Sequence, residues 1–247
     1  MKRSAAVAAL AALLAAPPAT AGAKLECVAP ASALETAGSL PRVAAAFRSG
    51  QPLRVLVVGS ASSGGSGTSG PGKPYPVKLI DRLHTALGVP VTVDSIARRG
   101  WTAEAMAEEM PDLVAAEQPD LVIWQTGTVD AVREIAPEAF GAALLKGTEA
   151  LQRARVDVLF MDMQFSPMGA RLIDYAPYLE YMGWVAGGKG VPVFHRHAIM
   201  RSWSEEDRFG GSARAKLEQQ AFADHVHACI AELVARVVRT VADATPR

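Results

Sequence analysis

A three-layer α/β/α sandwich around a five-stranded parallel sheet is the fold class this sequence predicts, and two patterns carry that expectation. Five apolar, β-branched runs alternate with segments of helical periodicity, the order of a parallel sheet wound on both faces. The first of those runs, Leu53 to Val58, stops in a glycine- and serine-rich segment from Gly59 to Gly72. In open α/β sheets the segments at the carboxyl ends of the strands hold the site. With 247 residues, half of them hydrophobic, the chain is long enough for one full-sized core.

The elements follow in order. Lys2-Arg3, an apolar stretch to Ala16, Pro17-Pro18 and the small residues Ala19-Thr20-Ala21 have the layout of a secretory signal peptide over residues 1–23, cleaved near Ala21 or Ala23. The apolar run is too short for a membrane span, and the competing reading is a buried N-terminal helix. Residues 24–52 form an arm and a short helix from Leu40 to Ser49, with Pro41 at its start and Gly50 as its stop. Residues 53–243 form a single domain. Its first strand is Leu53–Val58; the next helix, Tyr75–Leu87, lines Val77, Leu79, Ile80, Leu83 and Leu87 along one face and ends at Gly88. A strand over Val89–Ile96 precedes a helix over Thr102–Glu117 with an interruption expected at Pro111. Then come a strand at Leu121–Gln125, a helix at Pro137–Ala154, a strand at Val156–Met163, a helix at Pro177–Val185, a strand at Val191–Phe194 and a closing helix at Ala213–Val241.

Equal numbers of basic and acidic residues, 25 of each, give no electrostatic case for a nucleic-acid partner. Export predicts an oxidising compartment, where the two cysteines, Cys27 and Cys229, are expected to pair and tie the arm to the last helix. The alternative is two unpaired buried thiols. Lys24 and Glu26 stand where a lipoprotein signal needs small residues.

Two nucleotide motifs compete for the glycine-rich segment. Gly65-Ser-Gly-Thr-Ser-Gly70 has dinucleotide spacing, with Asp94 ending the second strand, but that fingerprint needs its first glycine directly after the strand. Gly67 to Lys73 spells G-x-x-x-x-G-K, yet Pro74 stands where a Ser or Thr must meet magnesium. No cofactor is therefore expected. A third reading places a nucleophilic serine at the strand end, where backbone N–H groups can hold an oxyanion.

Four blocks carry that third reading: Val57-Val-Gly59-Ser-Ala-Ser-Ser-Gly-Gly65, Arg99-Gly100, Gly127-Thr-Val-Asp130 and Asp224-His-Val-His227. In order and position they resemble the SGNH/GDSL hydrolase superfamily, and the resemblance covers the chain from about Leu53 onward. It implies a flavodoxin-like α/β/α fold and a serine esterase or lipase-like acyl hydrolase; aromatic residues beside the polar rim suit a small ester or acylated carbohydrate as substrate. In an enzyme of this kind Ser60, standing in for the family nucleophile, would attack, His227 would take its proton, Asp224 would orient the imidazole, and the N–H groups of Ser60 and Gly100 would hold the oxyanion. The sequence departs from the pattern at two places. Aligning Gly59 and Gly65 on the glycines of the first block puts Ala61 on the nucleophile, and Val129 replaces the asparagine of the third block. Ser60 is the first substitute for the nucleophile and Ser62 the second; both could equally satisfy backbone groups in a turn.

Other polar residues end strands on the same rim: Gln125, Asp130, Asp162 and Gln164. Ser62, Gln125, Asp130 and His197 are expected to contact substrate. His195 and His197 could act as a base, or bind an anion with Arg196 and Arg201; they make a poor metal site without a third ligand. Asp224, His225 and His227 could instead be ordinary helix-surface residues, and Trp101, Trp203, Tyr175, Tyr178 and Tyr181 ordinary packing. Two functions stay open: an exported esterase, or a degenerate domain that binds an ester or glycan without cleaving it.

Overall fold

The computed structural model describes residues 27–206 and 216–246; the expected signal peptide lies outside them, as does the start of the expected closing helix at 213–215. Five strands, β1 (Leu53–Gly59), β2 (Val91–Ala97), β3 (Leu121–Gln125), β4 (Asp157–Met161) and β5 (Val193–Phe194), form one parallel sheet in the order β2-β1-β3-β4-β5. The chain winds outward from β1 in one direction and then from β3 in the other, so the switch point lies between β1 and β3, where Val58 pairs with Trp124.

Strand side chains alternate between two cores, as a period of two requires. Val55, Val57, Ile123 and Met161 face α1 (Pro41–Ser49), α2 (Tyr75–Leu87) and α9 (Lys216–Ala244). Leu56, Val58, Trp124 and Phe160 face α3 (Ala103–Glu117), α5 (Pro137–Arg153) and α7 (Ala176–Lys189). Three further helices, α4 (Thr128–Val132), α6 (Gly169–Leu172) and α8 (Arg196–Glu205), follow β3, β4 and β5 and were not expected from the sequence.

Four departures from expectation have local reasons. α3 runs through Pro111 without a break: Pro111 is itself exposed, and Met106, Ala107 and Met110 in the preceding turn hold the helix in the core. β5 shrinks to two residues because Pro192 accepts from Phe160 N–H but has no N–H to return, while Val193 N–H donates to Thr36 Oγ1 of the arm (2.7 Å). α7 continues past Val185 through Gly187 and Gly188, whose faces are open, and stops at Gly190 with φ +65°. β2 starts two residues later than expected, after Pro90.

A disulfide joins Cys27 to Cys229, fastening the arm to α9. The arm is also held where Trp203 Nε1–H donates to Val28 O (2.6 Å). At the opposite rim, Asp157 Oδ2 accepts the N–H groups of Arg42 (2.9 Å) and Val43 (3.0 Å) and so caps α1.

The α3–α5 contact depends on one close approach. A Cβ on Gly147 would overlap the Trp124 indole and press on Ala107 Cβ, and that indole is fully buried. Gly147→Ala should therefore destabilise by about 1–3 kcal/mol through overpacking, against the ~1 kcal/mol that alanine ordinarily adds to a helix. A urea midpoint that rises in the variant would refute this reading of the helix contact.

Candidate active site

The site is built outward from the end of β1. Gly59 has no room for a side chain, since a Cβ there would collide with Ser63 and approach Gln125 Oε1. The chain then turns, with Ser63 N–H donating to Ser60 O (3.0 Å) and Ser66 N–H to Ala61 O (3.1 Å). Gln125, the last residue of β3, reaches across the switch point into this turn. Its Oε1 accepts from Ser60 N–H (3.0 Å), Ser60 Oγ–H (3.2 Å), Ser62 Oγ–H (3.2 Å) and Ser63 Oγ–H (3.0 Å). Four donors converge on an oxygen with two lone pairs, while the amide Nε2 of the same side chain is buried with no partner.

Three more residues complete the cluster. Ser63 Oγ and Tyr75 OH are 2.9 Å apart, and burial pushes the Tyr75 phenol up to about 12, so it stays neutral. Arg196, the first residue of α8 and 3% exposed, donates from Nη1 to Ser62 Oγ (3.0 Å) and from Nη2 to Gln164 Oε1 (3.4 Å). Its Nε is buried without a partner.

The expected acid and base sit close in sequence on α9 but face different partners. Asp224 accepts Ser69 N–H (2.9 Å) and Ser69 Oγ–H (2.6 Å), with Lys73 Nζ at 3.5 Å. Burial pulls its carboxyl upward, but the Ser69 bonds and Lys73 outweigh it and hold the group below the usual range. His227 is 6% exposed and stacks beside the Tyr75 ring, and its Nδ1 accepts the Tyr75 backbone N–H (3.0 Å). A backbone N–H can only donate, so the neutral ring carries its own proton on Nε2 and has no free lone pair for a serine proton. Burial, then the Arg196 charge, push this imidazole down to about 4 against the opposing pull of Asp224. Asp224 and His227 share no hydrogen bond: the i, i+3 spacing brings them to one helix face, but the β1–α2 loop and the first residue of α2 supply each with a nearer partner.

The remaining expected residues are placed as follows. Gly100 occupies a left-handed turn after β2 (φ +74°), against the Arg133 guanidinium. Asp130, 1% exposed, accepts Ala103 N–H (3.0 Å) and so holds the start of α3; its carboxyl is raised by burial, against the bonds it accepts. Val129 lies on α4, and Ala61 stands between Ser60 and Ser62 with no hydroxyl. His197 packs between the rings of Phe165 and Tyr175, and its N–H donates to Asp162 Oδ1 (2.7 Å). His195 Nδ1 is 3.6 Å from Asp162 Oδ2, and both histidines line a cavity of about 330 Å3 between α7 and α8 with Leu179, Glu180 and Met182. The structure thus brings Ser60, Ser62 and Gln125 together and sets Asp224, Asp130 and His197 apart in other contacts. Sequence reasoning did not single out Ser63 or Tyr75. The one available signal was a tyrosine opening α2 directly after the loop. Among the described residues no group of three or more His, Cys, Asp and Glu side chains could hold a metal ion.

The glycine-rich loop is not arranged as either nucleotide motif requires. Fifteen residues, 60–74, separate β1 from α2, and Lys73 is paired with Asp224.

Known proteins share this architecture. The sequence matches the non-GDSL lipase-like family over residues 26–244. Tetraacyldisaccharide 4'-kinase of Xanthomonas campestris is 28% identical over 149 residues, 54% of this chain, and the chain spans 40% of that relative's length. An esterase of the SGNH-hydrolase family superposes with a TM-score of 0.55 at 20% identity, covering 80% of this chain and 98% of its own. A catalytic mutant of an acetylxylan esterase from Geobacillus stearothermophilus gives 0.58 at 16% identity, covering 75% and 94%. At these identities the structural likenesses establish the fold.

Proposed function

This chain belongs to the non-GDSL lipase-like family within the SGNH/GDSL-like superfamily, and we propose that it is an exported domain that holds an ester or glycan ligand at the carboxyl rim of its sheet without cleaving it. The observation that carries this reading is the His227 ring: its Nδ1 is occupied by Tyr75 N–H, which leaves it no lone pair for a serine proton. Three further features agree with it. Ala61 stands at the position of the family nucleophile, Val129 at that of the oxyanion-binding asparagine, and the Ser60 hydroxyl is given to Gln125. Losing one oxyanion donor alone costs about 3–4 kcal/mol of transition-state stabilisation where such a donor has been removed from a serine hydrolase.

Export is supported by the leader-like sequence and by the disulfide, a bond that persists in oxidising compartments. No described helix is long and apolar enough to cross a membrane. The ligand class follows from the neighbours: one solved relative is an acetylxylan esterase, which makes acetylated xylo-oligosaccharides the first ligands to try. Kinase chemistry has little support, because Pro74 replaces the magnesium-binding hydroxyl and Lys73 is neutralised by Asp224.

A second reading, hydrolysis by Ser60, is favoured by one observation: its hydroxyl lies at the end of β1 beside the switch point. The purified protein, incubated with a fluorophosphonate probe and a short-chain nitrophenyl ester, should show neither labelling nor turnover above that of Ser60→Ala. Calorimetry with acetylated xylo-oligosaccharides should then report binding with the acetyl groups intact. Labelling that disappears in Ser60→Ala would replace the binding reading with the hydrolytic one.

A further inference from the structure

The rim cluster holds more donors than acceptors, and one of them is a buried charge. Arg196 has five N–H groups; Ser62 Oγ accepts one, Gln164 Oε1 accepts another at 3.4 Å, and the Nε–H has no acceptor. The charged and titratable groups around it do not neutralise it. Tyr75 is uncharged at neutral pH, and His227 is a neutral ring. Asp162, the carboxylate whose field reaches Arg196, gives Oδ1 to His197 N–H and lies beside His195 through Oδ2; no carboxylate lies within 4.0 Å of the guanidinium among the described residues. A guanidinium that is 97% buried with no ion pair is costly unless a ligand supplies the missing charge. Gln125 repeats the imbalance: its oxygen is oversubscribed and its Nε2 is an orphan donor, in a side chain that shares Ser62 Oγ with Arg196.

We propose that Arg196 is the receptor for an oxyanion, a carboxylate or a tetrahedral phosphate- or sulfate-type group carried by the ligand. This deepens the binding reading above and rests on it. The anion would take over Nη1 and Nη2, whose present partners, Ser62 and Gln164, are only half-buried and can turn toward solvent. A planar fork of N–H donors matches an oxyanion's paired oxygens, and such charge-assisted pairs are the strong ones.

The test uses the complete mature protein with its disulfide intact. Thermal unfolding is followed at pH 7 in sodium acetate, phosphate or sulfate titrations against sodium chloride at matched ionic strength. At least one oxyanion should raise Tm saturably where chloride does not; acetate alone identifies a carboxylate site, and phosphate or sulfate a tetrahedral one. Arg196→Gln should weaken that response at least about tenfold. Ser62→Asp places a carboxylate beside Nη1 in a half-exposed position, so it should raise Tm in chloride and abolish the oxyanion response even if Arg196→Gln does not fold. A wild-type protein indifferent to all three anions, or a response that survives in Ser62→Asp, overturns the proposal. Those failures leave binding of a neutral ligand intact, whereas fluorophosphonate labelling would remove the non-cleaving reading without touching the anion result.

Discussion

Removing the disulfide, in a Cys27→Ser/Cys229→Ala protein or by reduction, should cost the domain about 5 kcal/mol. The bond closes a loop of 202 residues, and in the chain-entropy account the constraint it places on the unfolded state grows with the logarithm of loop length, reaching about 5 kcal/mol at this size. Cys229 is fully buried among the apolar residues of α9 and Cys27 packs against the same core, so both ends are anchored in the folded state. Since domains have about 5–15 kcal/mol in all, a third or more of the margin depends on this bond. Urea unfolding with and without reductant measures it. The m-value should rise on reduction, because the freed chain exposes more surface. A loss below about 1 kcal/mol would mean that the arm detaches locally before the domain unfolds. Loss of the bond should also loosen α8, because Val28, one residue beyond Cys27, accepts the Trp203 indole N–H, and α8 begins with Arg196.

The sheet and its six large helices were legible because each is long enough to display its period. Past the exposed Arg54, Val55–Val58 is buried on both faces and reads as an unbroken apolar run, while α2 shows its stripe over three turns. α4 and α6 were not legible, because about one turn cannot establish a period, and α8, though as long as α1, carries charged residues where an amphipathic stripe would be read. Its position is set by tertiary contacts instead: Ile199 and Trp203 enter the core beside α9, and Asp162 accepts the His197 N–H. The interruption expected at Pro111 failed because a proline's local cost does not say whether the rest of a helix outweighs it, and α3 is anchored by Met106 and Met110.

At the site, residue types were legible and their pairings were not. Ser60, Ser62 and Gln125 end up together because β1 and β3 are neighbours at the switch point, a consequence of topology that the strand pattern already implies. Asp224 and His227 look like a pair in sequence because i and i+3 share a helix face. Their real partners, Ser69 and Tyr75, lie 155 and 152 residues away, one in a loop whose path has no periodicity to read and the other at the start of the helix that this loop positions. The charge on Arg196 was visible in the sequence, but its isolation was not, since that depends on Asp162 being committed elsewhere.

Between pH 7 and pH 4, His227→Gln and Asp157→Asn should shift stability in opposite directions, each by about 2–3 kcal/mol relative to the parent protein. His227 is buried neutral with its pKa lowered from 6.5 to about 4, so in that interval the unfolded state binds the extra proton. Its contribution is lost as pH falls through 6.5 toward 4, by about 3 kcal/mol at 1.36 kcal/mol per unit. Asp157 has the opposite sign. Burial raises its carboxyl from 3.8 to about 6 despite the Val43 and Arg42 N–H groups, so the folded state binds the proton first and gains stability as pH falls through 6. Over the same interval that gain is about 2–3 kcal/mol. In the parent protein the two nearly cancel, and removing either unmasks the other: His227→Gln should gain on the parent toward acid, and Asp157→Asn should lose ground. Both substitutions keep an acceptor for the backbone N–H groups now bound, so a pH-independent offset is expected to be small. Because one residue sits at the carboxyl rim and the other under α1 at the opposite rim, the double variant should equal the sum of the two singles. Urea midpoints for the four proteins at pH 7, 5.5 and 4 provide the comparison. If the His227→Gln curve ran parallel to the parent's, the ring would take up its proton at the same pH in the folded and unfolded protein, and neither burial nor the Tyr75 N–H would be holding it neutral.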